Sequence, residues 1–122
     1  MATVNPTIAD LSGDGQVVKF TWALTSANPD GAPIGPKYAA HADRTVYFLG
    51  TWGGATAKWQ GGDNNTWLSL TDSLNTEFSK TADGVDVVTE VPEYSRPNLT
   101  TVGTNAVITA TCIARRSFRR SA

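Results

Sequence analysis

The chain has a single histidine, His41, and a single cysteine, Cys112. Zinc centres of the Cys/His type need several such ligands, so these two counts exclude them, along with any relay built on two histidines. One cysteine also forbids an intramolecular disulfide. Its place inside the apolar run 106–114 makes a buried, inert thiol the expectation. No apolar stretch approaches the roughly 20 residues that a membrane-spanning helix needs, so no membrane partner is expected. The opening MATVNPTIADLSGDG lacks the basic segment and apolar stretch of a secretory leader. The triplets Asn64-Asn65-Thr66 and Asn98-Leu99-Thr100 are accordingly taken as turn residues and not as glycan acceptors. Gly-x-Ser-x-Gly is missing, as is a glycine loop that cradles phosphate at a helix start, and no cofactor is expected.

What the chain does have is turns and alternating strands. Its 122 residues, 40% hydrophobic and 17% charged with 11 Gly and 6 Pro, fit one turn-rich domain spanning 1–122 with its own core. Across 55–70, Ala55, Ala57 and Trp59 alternate with Thr56, Lys58 and Gln60. A polar turn at 61–65 then leads into Trp67-Leu68-Ser69-Leu70, the pattern of a hairpin with a loop longer than two residues. Val17 to Thr25 places Val18, Phe20, Trp22 and Leu24 on one face of a half-buried strand. Thr3 to Ala9 is a candidate first strand that Pro6 confines to an edge or to an exchanged arm. Residues 26–44 form a long loop by their turn chemistry, and 45–50 the next strand.

Ala82-Asp83-Gly84 reads as a second hairpin turn, and 85–91 alternates up to Pro92. Tyr94 to Thr100 is a short extended piece kept to an edge by Pro97, and 106–114 is apolar on both faces, as a central strand would be. Together these predict an all-β, single-domain antiparallel β-sandwich, jelly-roll-like, of about eight strands. An N-terminal arm at 1–9 and a basic tail at 115–122 flank it.

Candidate chemistry is sparse. His41 lies in the polar loop and is expected to be solvent-exposed. Asp10-Leu11-Ser12-Gly13-Asp14-Gly15 opens like a calcium loop, but its twelfth position is Thr21 where the geometry demands a bidentate Glu, so a connecting turn is expected. Glu90 and Glu93 flank Pro92, and spacing alone does not oppose them across a cleft. Trp52 with Asp63, Asn64 and Asn65 composes an alternative glycan-binding platform, although strand tryptophans usually fill a sandwich core. Four of the ten basic residues, Arg115, Arg116, Arg119 and Arg120, sit at the end of the chain. Without them six bases face eleven acids, so a body near −5 carries a +4 tail suited to carboxylate or phosphate partners.

The order of segments resembles a known class. The run Gln60-Gly61-Gly62-Asp63-Asn64-Asn65-Thr66-Trp67-Leu68-Ser69-Leu70, then Phe78 with 81–85, then Glu90 to Pro97 with its Tyr94-Ser95-Arg96-Pro97, and a closing strand ending in Ala114-Arg115-Arg116 are similar to virion structural proteins of tailed bacteriophages. The likeness covers about 55–116 and differs from the usual pattern at the Gly61 to Asn65 turn. It implies a capsid decoration or cement protein on the outer surface of the head. Such a protein is expected to bind the major capsid protein as a homo-oligomer, a trimer favoured, without enzymatic activity or sequence-specific nucleic-acid binding. The contacts it implies to capsid or neighbouring subunits are Arg115, Arg116, Arg119, Arg120, Pro6, Tyr38 and His41. A head–tail connector or tail component, and a carbohydrate-binding β-sandwich module, are the alternatives.

Overall fold

The computed structural model describes residues 3–72, 74–88 and 90–116. Among these, nine strands form two antiparallel sheets: β1 Thr7–Asp10, β2 Val17–Thr25, β3 Asp43–Thr51, β4 Thr56–Gly62, β5 Trp67–Ser69, β6 Ser79–Lys80, β7 Gly84–Val88, β8 Tyr94–Thr101 and β9 Val107–Arg115. One sheet runs β1-β2-β9-β3-β7, and the other has β8 on one side of β4 with β5 and β6 on the other. The expected all-β sandwich is therefore the fold. The only helical piece described is a 3-10 turn at Pro36–Tyr38.

The pairings nest. Ends of the chain pair first, β2 with β9; inside them the 30–34 segment bridges β8 at Asp30↔Asn98 and Ile34↔Ser95. Further in, β3 pairs β7, and innermost β4 pairs β5 and β6. The chain is thus one long antiparallel hairpin folded over itself, with successive pairs laid alternately in the two sheets. The strand opposite β4 is itself interrupted between β5 and β6. The excursion 71–77 leaves and rejoins it, closed by the Phe78 N–H to the Leu70 carbonyl at 2.8 Å.

Period-two alternation explains which side chains meet. Val18, Phe20, Trp22 and Leu24 of β2 face inward, as do Ala57 and Trp59 of β4. Trp22 and Trp59 cross edge-to-face between the sheets at 5.7 Å, and Phe48 meets Phe78 the same way at 5.9 Å. Such pairs contribute about 0.5–1.5 kcal/mol beyond the area they bury. The Trp22 indole donates to the Ala32 carbonyl at 2.9 Å, which ties the 29–34 segment to the core. Cys112 is buried as expected on β9, which lies between β2 and β3. Of the outward residues on β9, Thr111 is buried but Val107 and Thr109 are exposed, so its second face is only partly covered.

Several expectations need correction. Ala82-Asp83-Gly84 does not close a hairpin, because β6 belongs to one sheet and β7 to the other; the turn is a crossing between layers. Its Asp83 carboxylate is held from the β3 side by the Gly50 N–H at 3.0 Å and the Trp52 indole N–H at 2.8 Å. The turn of the 55–70 hairpin is shorter than expected, since Gly61 and Gly62 belong to β4 and pair with Leu68 and Trp67. Strand β3 starts at Asp43, two residues before the expected start at Thr45. Pro97 does sit on the outermost strand of its sheet, yet it is fully buried, because the Gly31 N–H reaches its carbonyl at 3.0 Å and the 29–34 segment covers that edge.

The N-terminal arm is fastened within its own chain. Val4 donates to the Asp30 carbonyl at 2.8 Å and accepts from the Ala32 N–H at 2.7 Å. Strand β1 then pairs with β2 from Thr7↔Thr21 to Asp10↔Val18, so Pro6 precedes an edge strand.

Candidate functional site

Three parts of the surface hold the candidate residues. The first is one end of the five-stranded sheet, where the strand register brings Val17, Arg115 and Asp43 into one row. Here Arg115 is half-buried, with Nη1 at 3.4 Å from the Thr45 hydroxyl and 3.9 Å from Asp43. Arg116 is exposed, and its N–H donates to the Gln16 carbonyl at 2.9 Å. Arg119 and Arg120 lie outside the described residues.

His41 belongs to the same end and is buried, contrary to expectation. Its Nε2 lies 2.7 Å from the Gly15 carbonyl, so Nε2 carries the proton; Nδ1 has no partner among the described residues. The Tyr38 ring packs edge-on to His41 at 5.6 Å and to Phe20 at 4.9 Å. Tyr38 and His41, with Ile8 and Lys37, line a cavity of about 300 Å³. Pro6 is not part of this corner: it precedes Thr7, which pairs further along β2.

Behind the corner stands Arg44, a fully buried arginine that sequence reasoning passed over. It has no carboxylate partner among the described ion pairs. Its fork instead donates to carbonyls and a hydroxyl: Nε to His41 O at 2.9 Å, Nη2 to Tyr38 O at 3.0 Å and Nη1 to Ser95 Oγ at 3.3 Å. Burial pulls its pKa down from the ordinary arginine value, but a guanidinium stays protonated in proteins. Arg44 therefore clasps the 36–41 segment to β8. The signal was present in the sequence, since Arg44 shares parity with Val46 and Phe48 and so must point inward once β3 extends to Asp43.

The second part is the outer face of the four-stranded sheet. Arg96 of β8 pairs in register with Gln60, and its guanidinium lies 4.2 Å from the centroid of the half-buried Trp67 ring. Gln60 Oε1 accepts from Arg96 Nε at 3.2 Å, while Lys58 pairs with Glu77 at 3.0 Å. This face is polar and charged. Trp52 is elsewhere. It precedes β4, whereas Asp63, Asn64 and Asn65 follow it, so about 23 Å of strand separates them. The platform expected from Trp52 with Asp63, Asn64 and Asn65 is not assembled. Trp52 packs edge-on to Phe48 at 6.4 Å, and the Asp63 carboxylate accepts from its own turn, from Thr66 N at 2.8 Å and Asn65 N at 2.9 Å. Those two backbone donors, Thr66 first, hold the Asp63 carboxyl below its ordinary pKa.

Asp10 and Glu90 are similarly engaged. Asp10 Oδ1 accepts from Ser12 and Gly13 and its Oδ2 from Gly15, as in a self-contained turn. Glu90 accepts from the Thr71 N–H at 2.7 Å. No group of three or more His, Cys, Asp or Glu capable of holding a metal occurs among the described residues. No described helix is long and apolar enough to cross a membrane.

The third part is the outer face of the five-stranded sheet, formed by the odd-numbered residues of its strands. Threonine and aliphatic residues dominate it, and of its positions only Lys19, Asp43 and Arg115 are charged. Tyr47, Leu49, Asp83, Gly84 and Val85 line a shallow apolar groove of about 470 Å³ on it.

Comparison with protein-family models returns no match, and comparison with curated proteins returns none either.

Proposed function

We propose that the chain is a virion structural protein of tailed bacteriophages, of the capsid decoration type, which docks on the outer surface of the head and stabilises the shell. The observation that carries this reading is the nested wrapping of one long hairpin into two sheets. With 30–34 counted as a short strand, the orders β2-β9-β3-β7 and (30–34)-β8-β4-β5 support a jelly-roll reading, an architecture used by viral capsid domains and by lectins. Fold alone does not fix function. The order of phage-like segments along 55–116 narrows the choice, and these segments supply hairpin β4–β5 and strands β8 and β9.

The role asks for a rigid body with more than one contact surface. A ligand that binds the assembled shell and not its free subunits stabilises the shell by mass action, and linked copies multiply a weak contact through effective concentration. The candidate shell contacts are the exposed Arg116 with Arg119 and Arg120. Arg115 is set apart from them, because it belongs to the central β9 ladder and rests on Thr45. Replacing Arg116, Arg119 and Arg120 by Ala should lower occupancy on purified phage heads, measured by gel densitometry. Unchanged occupancy would remove the arginine contact, and absence of binding by the native chain would remove the decoration role. About a dozen copies per virion, in place of hundreds, would favour a head–tail connector.

A carbohydrate-binding module is the second reading, favoured by the half-exposed Trp67 beside Arg96, Gln60 and Tyr94 on the four-stranded face. Change in tryptophan fluorescence on adding glycans, lost in Trp67→Ala, would support it.

A further inference from the structure

The two outer faces of the sandwich differ in a way that solvation alone does not require. The four-stranded face presents Lys58, Arg96 and Gln60, whereas the five-stranded face presents threonine, Tyr47 and exposed aliphatic side chains. Leu49, Val85, Val87 and Val107 on it are 43–57% exposed. A continuous apolar surface of this kind on a folded protein marks an interaction site. We infer that this face is a self-association surface, on which a second copy of the chain packs sheet against sheet about a two-fold axis.

Charge selects a second copy as the occupant. The full chain is close to neutral, with eleven acids and ten bases, so two copies can meet without a large net repulsion. A two-fold contact sets the same patch on both copies, so a patch with little charge near its centre brings no like charges together at the axis. The odd-numbered face comes close to that condition: Lys19, Asp43 and Arg115 stand toward one end, and the one carboxylate beside Tyr47 and Leu49, Asp83, is held by the Gly50 and Trp52 N–H groups. A strongly charged partner would find little there to pair with beyond Asp83, whose carboxylate already accepts two N–H bonds.

The area is sufficient. Strands β2, β9 and β3 have nine residues each, about 30 Å at about 3.3 Å per residue, and five strands about 4.8 Å apart are about 24 Å wide. With shorter β1 and β7 at the margins the face measures about 600 Å² in plan before side-chain relief is counted. That is comparable with the ~800 Å² each partner contributes to a standard interface. The groove beside Leu49 and Val85 offers a recess for the partner's side chains, and packed sheets lie about 10 Å apart.

This inference does not depend on the decoration role, and its test uses the purified full-length chain alone. Sedimentation equilibrium over a concentration series should give twice the 13.0 kDa chain mass. Leu49→Lys or Val85→Lys sets two ammonium groups against the apolar centre and should weaken the dimer more than about a hundredfold. Circular dichroism should remain native in both, since both side chains are exposed. Thr56→Lys, on the opposite face, should leave the dimer intact. A native chain that stays monomeric at all concentrations would overturn the inference, as would a closed trimer or dimers that persist in both lysine variants. A monomer whose binding to phage heads is lost in Leu49→Lys would give the face to the shell protein and likewise end the self-contact.

Discussion

Arg44 makes the sharpest test of how this fold is held together. Replacing it with Met keeps most of the buried stem but removes the fork, leaving the His41 carbonyl and the Ser95 hydroxyl without that donor and the Tyr38 carbonyl with only the His41 N–H. Each orphaned buried acceptor costs about 1–3 kcal/mol. Against this, Met avoids the several kcal/mol spent in desolvating a cation that has no carboxylate beside it. The orphaned His41 carbonyl and Ser95 hydroxyl, with the loss of a charged donor to Tyr38, outweigh that relief, so Arg44→Met should destabilise the chain by about 2–4 kcal/mol. In urea, with a slope of about 2 kcal/mol/M for a domain of this size, the midpoint should fall by about 1–2 M. Hydrogen exchange should localise the loss, with the Ala39 and His41 amides, which bond within the 35–41 turn, protected less than the β9 amides. A Met variant as stable as the native chain, with that turn still protected, would refute the clasp.

The remaining predictions concern a glycine, a thiol and a carboxylate. Gly53 has φ +55, and a Cβ there would overlap the Thr104 carbonyl oxygen, whereas Gly54 has φ +85 with open space around it. Gly53→Ala should therefore cost more than Gly54→Ala, which bears only the backbone strain of about 1–3 kcal/mol; equal midpoints in denaturant would dismiss the overlap. Burial pushes the Cys112 thiol up to about 12, so a thiol reagent should label it only after unfolding, and rapid labelling of the native chain would contradict a sealed core. The Trp52 indole N–H, followed by the Gly50 N–H, lowers the Asp83 pKa. A depressed folded-state pKa gives stability present above the unfolded value, near 4, and lost as pH falls through the folded value. Asp83→Asn should weaken the chain at neutral pH with a difference that shrinks in acid; a difference independent of pH would exclude the carboxylate's charge as its source.

Alternation made β2 and the core side of β4 legible in the sequence, since Val18, Phe20, Trp22, Leu24, Ala57 and Trp59 all lie where period two places them. Local pattern does not record which sheet a strand joins. That is why Ala82-Asp83-Gly84 looked like a hairpin: turn residues are the same whether the chain reverses within a layer or crosses between layers, and only the partners of β6 and β7 separate the cases. His41 was misplaced for a related reason. Its polar neighbours describe a loop, but Tyr38 and Arg44 fold around it and Gly15, 26 residues earlier in the chain, meets its Nε2. The glycan platform failed through length, because Trp52 and Asp63 are near in sequence yet β4 is extended between them.

The same nesting that hid these contacts explains how one small sandwich can carry two unlike outer faces. Each strand of the wrapped hairpin sends one parity of residues into the shared core, so its other parity is free to take whatever character its own sheet needs. In β9 the outward parity is Val107, Thr109, Thr111, Ile113 and Arg115, and in β8 it is Tyr94, Arg96 and Asn98, although the two strands are joined by only a few residues. Because successive pairs alternate between layers, neighbouring segments of sequence diverge in surface chemistry without any cost to the core. A chain built this way can hold a copy of itself on one side and a polar partner on the other, and a charge placed at Leu49 should disturb the first contact while leaving the second untouched.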